Sequence, residues 1–182
     1  LKEEFGNDFY HFAHFEHPDG LPHEVMGKGP NMDYAAHQIQ GFIKSKHIKP
    51  ENVLVTTLDS DNRPHVKYFA ALTHAYLSSD DRKHKSYQPI PMFFNNIWDV
   101  PMPIRSIALG SSFWQIIEST RPHRLRNFAS HAQPLDALIE TDFWSTRTIV
   151  EDGHQFWRSY FRFDGNHSVV SVNVPIYQDA VL

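Results

Sequence analysis

Val53-Leu54-Val55-Thr56-Thr57-Leu58 runs straight into Asp59-Ser60-Asp61. The apolar, β-branched run reads as a buried strand, and its closure by Asp, Asn and Pro is the pattern of a central parallel strand. In open α/β sheets, ligands collect beyond the carboxyl ends of such strands. Two carboxylates placed there suit a divalent cation, which can in turn hold the phosphates of a substrate. The tripeptide by itself is weak, since about one Asp-x-Asp is expected by chance at this Asp content. A solvated turn is the plain alternative, and Asp61-Asn62-Arg63-Pro64 has good turn chemistry.

Working outward, the periodicity predicts α/β alternation. Asn31 is a fair N-cap for a helix over 32–46, whose apolar face is Ile39, Phe42 and Ile43. A helix over 66–77 follows the strand. Residues 87–94 read as extended, interrupted by Pro89 and Pro91. Helices are expected over 104–117, over 134–139 with Pro134 in the first turn, and over 153–163. Thr148-Ile149-Val150 reads as short and β-branched, and 168–174 as a late strand. The opening, 5–15, has helical spacing and ends in the turn His17-Pro18-Asp19-Gly20. No internal repeat or low-complexity tract appears.

Composition narrows the function classes. A chain of 182 residues, 41% hydrophobic and 21% charged, suits one globular domain with a real core. No apolar run approaches the ~18 residues that span a bilayer. Cys is absent, which excludes disulfides and thiolate metal sites and is compatible with the cytosol. A formal charge of −4 leaves no electrostatic footprint for nucleic acid. The local basic cluster Arg121, His123, Arg124 and Arg126 reads as a solvated helix face, with contact to anionic groups as the alternative. The aromatic content of 14% hints at sugar stacking as well as at core.

Four constellations carry candidate chemistry. Asp59 and Asp61 are the first. Glu151-Asp152 offers a general base at a cleft mouth, or merely acids in a helix's first turn. Lys28, between Gly27 and Gly29, could meet phosphate but lacks P-loop spacing, and a simple turn reads equally well. His11, His14 and His17 recur every third residue in a chain with 13 His, a possible zinc face among alternating Phe.

The order of these signals is more specific than any one of them. Gly27-Lys28-Gly29-Pro30-Asn31 precedes a helix, and Leu58-Asp59-Ser60-Asp61 ends the next strand. Tyr87-Gln88-Pro89, Thr141-Asp142-Phe143-Trp144 and Thr148-Ile149-Val150-Glu151-Asp152 follow. From about Gly27 to Val174, this succession resembles the membrane-associated family 2 glycosyltransferases, the group of the cellulose and hyaluronan synthases. The resemblance implies the GT-A fold, an α/β nucleotide-sugar domain with a mixed, mainly parallel sheet flanked by helices. It implies that Asp59 and Asp61 bind Mg²⁺ or Mn²⁺ and the donor diphosphate, and that Lys28 and Asn31 lie near the donor nucleotide. It further implies that Gln88, Pro89, Phe143 and Trp144 meet the acceptor, and that Asp152 is the catalytic base with Glu151 beside it. Val150 departs from the family's Thr-Glu-Asp, and Phe143-Trp144 replaces the smaller Gly-Gly-Phe.

The expected activity is inverting transfer from a nucleotide-sugar donor, most simply a UDP-sugar, to a saccharide or lipid-linked acceptor. Since the chain opens on Leu1 and closes on Leu182, it is expected to be the middle of a larger protein. The family's first strand would precede it, and Gln-x-x-Arg-Trp and the membrane helices would follow, holding the whole at the cytoplasmic face of a membrane. The section itself is expected to be soluble, inactive alone, and prone to self-association through an open sheet edge. A non-catalytic carbohydrate-binding module and a His-rich metal-dependent hydrolase using His11, His14 and the Asp pair are the rival classes.

Overall fold

The computed structural model describes residues 2–180. It is an α/β structure with helices on both faces of a five-stranded mixed sheet. The helices are α1 (Lys2–Phe5), α2 (Lys28–Ser45), α3 (Tyr68–Ser78), α4 (Met102–Ser119), α5 (Leu135–Glu140) and α6 (Glu151–Arg162). The strands are β1 (Leu54–Thr56), β2 (Arg63–Pro64), β3 (Lys85–Met92), β4 (Ala132–Pro134) and β5 (Ser168–Tyr177), in spatial order β1-β4-β3-β5-β2.

Side-chain alternation along the strands explains the layers. Leu54 packs into a core with Tyr68, Leu72 and Tyr76 of α3, joined by Tyr87, Val172 and Ile176. Val53 and Val55 point the other way, onto Ala36 and Ile43 of α2 and Leu135 and Leu138 of α5. On β5, Val170, Val172 and Val174 join the α3 core, whereas Val169 meets Phe156 of α6. A period of two thus buries both faces, as strands covered by helices require.

The expectation of a mainly parallel sheet is corrected. Among the described residues only β3 and β5 pair in parallel; β1 with β4, β3 with β4, and β2 with β5 are antiparallel. The Val53 run forms a three-residue strand at the sheet edge, paired antiparallel to β4, and not a central parallel one. Its continuous apolar character comes from helices on both faces, which an edge strand between layers shares with a central strand. The open edge is therefore that of an antiparallel pair.

Other boundaries moved for local reasons. Helix α2 begins at Lys28, four residues early, because Gly29 and Pro30 are both tolerated in a first turn, where Pro has no partner to lose. Asn31 is consequently inside the helix and caps nothing. Pro89 and Pro91 sit within β3, which pairs with β4 only at Tyr87 and shifts register against β5 between Gln88 and Ile90. Residues 148–150 form no strand, the helical part of the opening is Lys2–Phe5, and Pro134 ends β4 instead of starting a helix. The terminal residues Leu1, Val181 and Leu182, on which the reading of the chain's ends rests, lie outside the described residues. Among the described residues, no helix is long and apolar enough to cross a membrane.

Candidate functional site

The N-termini of α2 and α6 and the turn after β1 meet at one place. Gly29 permits the approach of the two helices: a Cβ there would lie 2.7 Å from the Ser145 carbonyl oxygen and 3.3 Å from Glu151 Cβ. Lys28 opens α2, with Nζ 2.5 Å from Asp59 Oδ1 and 2.9 Å from the Ala129 carbonyl oxygen. A cation at a helix N-terminus faces the positive end of the dipole, so this position is favourable only because those oxygens surround it. The Asp59 carboxylate thus balances the Lys28 ammonium at the start of α2.

The turn is as tight as its composition suggests. Asn62 N–H donates to the Asp59 carbonyl at 3.0 Å, and Asp59 N–H donates to Asn62 Oδ1 at 3.0 Å. Ser130 Oγ also donates to Asn62 Oδ1, tying the turn to the segment before β4. The two Asp residues have different duties. Asp61 Oδ1 accepts from Asn62 Nδ2 at 3.1 Å, and Oδ2 accepts from the Asp179 backbone N–H at 2.8 Å. Asp61 thereby anchors the chain beyond β5, while Asp59 faces Lys28.

Glu151 and Asp152 form the first turn of α6. Glu151 is buried, and its carboxyl is pushed above the usual range, first by that burial and then by the Asp152 charge, with Lys28 opposing. Asp59 acts on it as well. Asp152 is half-buried and accepts from Gly153 N–H at 2.6 Å. Lys28, Asp59, Glu151 and Asp152 are thus brought within electrostatic reach of one another.

The segment Phe128-Ala129-Ser130-His131 completes the site and was missed in the sequence. It supplies the carbonyl that holds Lys28, the hydroxyl that holds Asn62, and a fully buried imidazole. His131 Nδ1 lies 3.0 Å from the Phe128 carbonyl oxygen, which as an acceptor assigns the proton to Nδ1. Nε2 is buried without a partner. Burial lowers the imidazole pKa to about 4, with the Asp152 and Lys28 charges nearby acting in opposite directions. The only available signal was a pair of small residues between Phe128 and His131.

Gln88 holds this segment in place. Its Nε2 donates to the Ser130 carbonyl at 2.9 Å and its Oε1 accepts from Phe128 N–H at 2.7 Å. Gln88 and Pro89 are buried in the sheet, and Phe143 and Trp144 are 2% and 3% exposed in the α2–α5 core. These four, expected at the acceptor, have their surfaces covered by protein in this structure, where their aromatic and amide groups serve packing and positioning. Asn31 is exposed and lines a separate cavity of about 320 Å³ with His17, Glu24 and Gly27. His11 stacks on Phe42 at 3.9 Å and His17 pairs with Glu24 at 3.1 Å, so these two have separate partners.

Among the described residues, no group of three or more His, Cys, Asp or Glu is gathered to hold a metal. Asp59 and Asp61 are of the donor type that a hard divalent cation takes when a substrate supplies most of its ligands. Both offer oxygen donors, Asp61 keeps lone pairs beyond its two hydrogen bonds, and Asp59 already faces a positive charge. Compared with protein-family models, with curated proteins and with solved structures, the chain matches none.

Proposed function

We propose that this chain is the nucleotide-sugar-handling domain of a family 2 glycosyltransferase with the GT-A fold, moving a sugar from a UDP-sugar or related donor to a saccharide or lipid-linked acceptor. The observation that carries the reading is the meeting of Lys28, Asp59, Glu151 and Asp152, which come from three separate segments. A solvated turn would not need the Lys28 ammonium, and first-turn acids would not need the glycine contact that brings α2 onto α6.

The residues divide the chemistry. Lys28, at the positive end of α2, exchanges its Asp59 partner for the donor diphosphate. Asp59, so released, and Asp61 would hold Mg²⁺ or Mn²⁺, whose charge offsets that of the leaving diphosphate. Asp152 accepts the proton of the acceptor hydroxyl as its oxygen bonds to the anomeric carbon. The bond to the diphosphate oxygen breaks with its electron pair, and the single displacement inverts the centre. Glu151 stands next to Asp152 in the first turn of α6, and its own carboxyl is raised by burial and by the Asp152 charge, so it is the less ready of the two to carry negative charge.

Two measurements test this. Calorimetry with UDP and Mn²⁺ should show each tightening the other, and Asp61→Ala should remove that synergy; equal Mn²⁺–UDP binding by both proteins refutes the assignment. In the protein that performs the transfer, Asp152→Asn should lower kcat by about 100-fold or more while leaving donor binding nearly intact. Loss in Glu151→Gln with retained turnover in Asp152→Asn would exchange the two roles.

A further inference from the structure

Helix α4 is inside out for a surface helix. On its inner side it buries Ala108 and Ser112, with Ile104 packed partly buried beside Ala108, and Ser112 Oγ accepts from Phe93 N–H at 3.0 Å. Its large side chains face outward: Met102, Ile107, Leu109, Phe113 and Trp114 are 73%, 66%, 47%, 65% and 51% exposed, and Ile116 is 39% exposed. At ~100° per residue these positions fall on one half of the helix, interrupted by Ser106 and Gly110. A helix packed for water places such residues on the core side. Leaving them outside forgoes ~1.5–3 kcal/mol for each large side chain, so contiguous exposure on this scale marks a surface that something covers.

We propose that this face lies on a lipid bilayer bearing anionic headgroups. Three observations select a lipid surface over a protein. The exposed half of α4 carries no charge and almost no hydrogen-bonding group, as a face sunk into the acyl boundary requires. The charges sit at its margins and are predominantly positive: between Trp98 and Arg126 the chain has four Arg against Asp99 and Glu118, although its overall formal charge is −4. Three of the four arginines lie over aromatic rings, Arg105 at 5.0 Å from Trp98 and Arg124 at 5.9 Å from Trp114, while Arg121 and Arg124 share Glu118 at 3.5 Å. Arg126 lies 4.4 Å from Phe156 and 5.8 Å from Trp157 of α6, whose Phe161 is 71% exposed.

Apolar side chains bordered by Trp and Arg are what a helix lying in a membrane interface presents. Since α4 is not apolar enough all round to span, it lies in the plane. The inference is independent of the chemistry proposed for Lys28 and Asp59, and it places the membrane contact on this domain rather than only on flanking segments.

Co-sedimentation with two kinds of vesicle tests it, one of phosphatidylcholine alone and one with about a third phosphatidylglycerol. The chain should bind the anionic vesicles and shift its Trp emission to the blue. Phe113→Ser with Trp114→Ser should weaken binding by about tenfold or more. Arg121→Glu with Arg124→Glu should weaken it on anionic vesicles and remove its salt dependence. All four positions are half-buried or exposed, and circular dichroism checks that the variants fold. Failure to bind either vesicle overturns the proposal, as does equal binding by the Phe113/Trp114 variant. A dimer that this variant dissociates, without lipid binding by the parent, would assign the face to a second copy.

Discussion

Acidification should unfold this protein through two buried histidines, and His131 permits the effect to be isolated. Its imidazole is fully buried and its pKa is lowered to about 4 from an ordinary 6.5, chiefly by burial. Between those values the unfolded chain binds a proton that the folded chain refuses. Stability therefore falls as pH drops from about 6.5, by ~1.4 kcal/mol per pH unit, and levels off below about 4. The full loss is about 3 kcal/mol for this one residue. His167, whose Nε2 lies 3.1 Å from Ser86 Oγ, is also lowered to about 4, mainly by burial, and acts with the same sign. Together they remove about 6 kcal/mol, comparable to the whole stability of a small domain.

Urea unfolding at a series of pH values measures the slope, and His131→Gln should roughly halve it over pH 6.5 to 4. Gln can still donate to the Phe128 carbonyl but does not titrate. Asp81 and Glu140, held below the usual carboxylate range by their His84 and Lys83 partners, add acid sensitivity of their own. They are present in both proteins and drop out of the difference between the two slopes, which isolates His131. An imidazole NMR titration showing His131 protonating near 6.5 in the folded protein, or identical slopes for parent and variant, would refute the reasoning.

Two further outcomes follow from the site's construction. Glu151→Gln should stabilise the protein at pH 7: a carboxyl raised by burial loses stability as pH rises through its folded pKa, and the amide escapes that loss; the gain should vanish below pH 4.5 in thermal melts. Gly29→Ala should cost ~1–3 kcal/mol in urea unfolding and weaken Mn²⁺–UDP binding, because its Cβ meets a backbone oxygen at 2.7 Å and forces α2 away from α6; unchanged stability would show that the two helix ends move apart freely.

Much of the element pattern was legible because it is local. The helical periods that gave α3, α4 and α6, and the β-branched run of β5, each lie within a single window of sequence. The position of β1 was not, since an apolar run records that both faces are covered and says nothing of how many neighbours a strand has or which way they run. Nor was the inverted polarity of α4: a periodic apolar stripe has the same sequence signature whether it faces a core or the outside.

The site divides along the same line. Lys28, Asp59, Glu151 and Asp152 were recognisable because each stands at the end of an element, where glycine, turn residues or first-turn acids mark it. The residues that hold them together are linked across the chain: Lys28 reaches Ala129, Asn62 reaches Ser130, Gln88 reaches Phe128, and Asp61 reaches Asp179. None of these pairs shares a window, so their hydrogen bonds leave no periodic trace. Asp61 shows the consequence most clearly. Read locally, it is the twin of Asp59; in the fold, one carboxylate balances a lysine while the other fixes the chain after β5. A cation shared by the two would therefore couple the donor end of the site to the last strand of the sheet, and Asp61→Ala should disturb both at once.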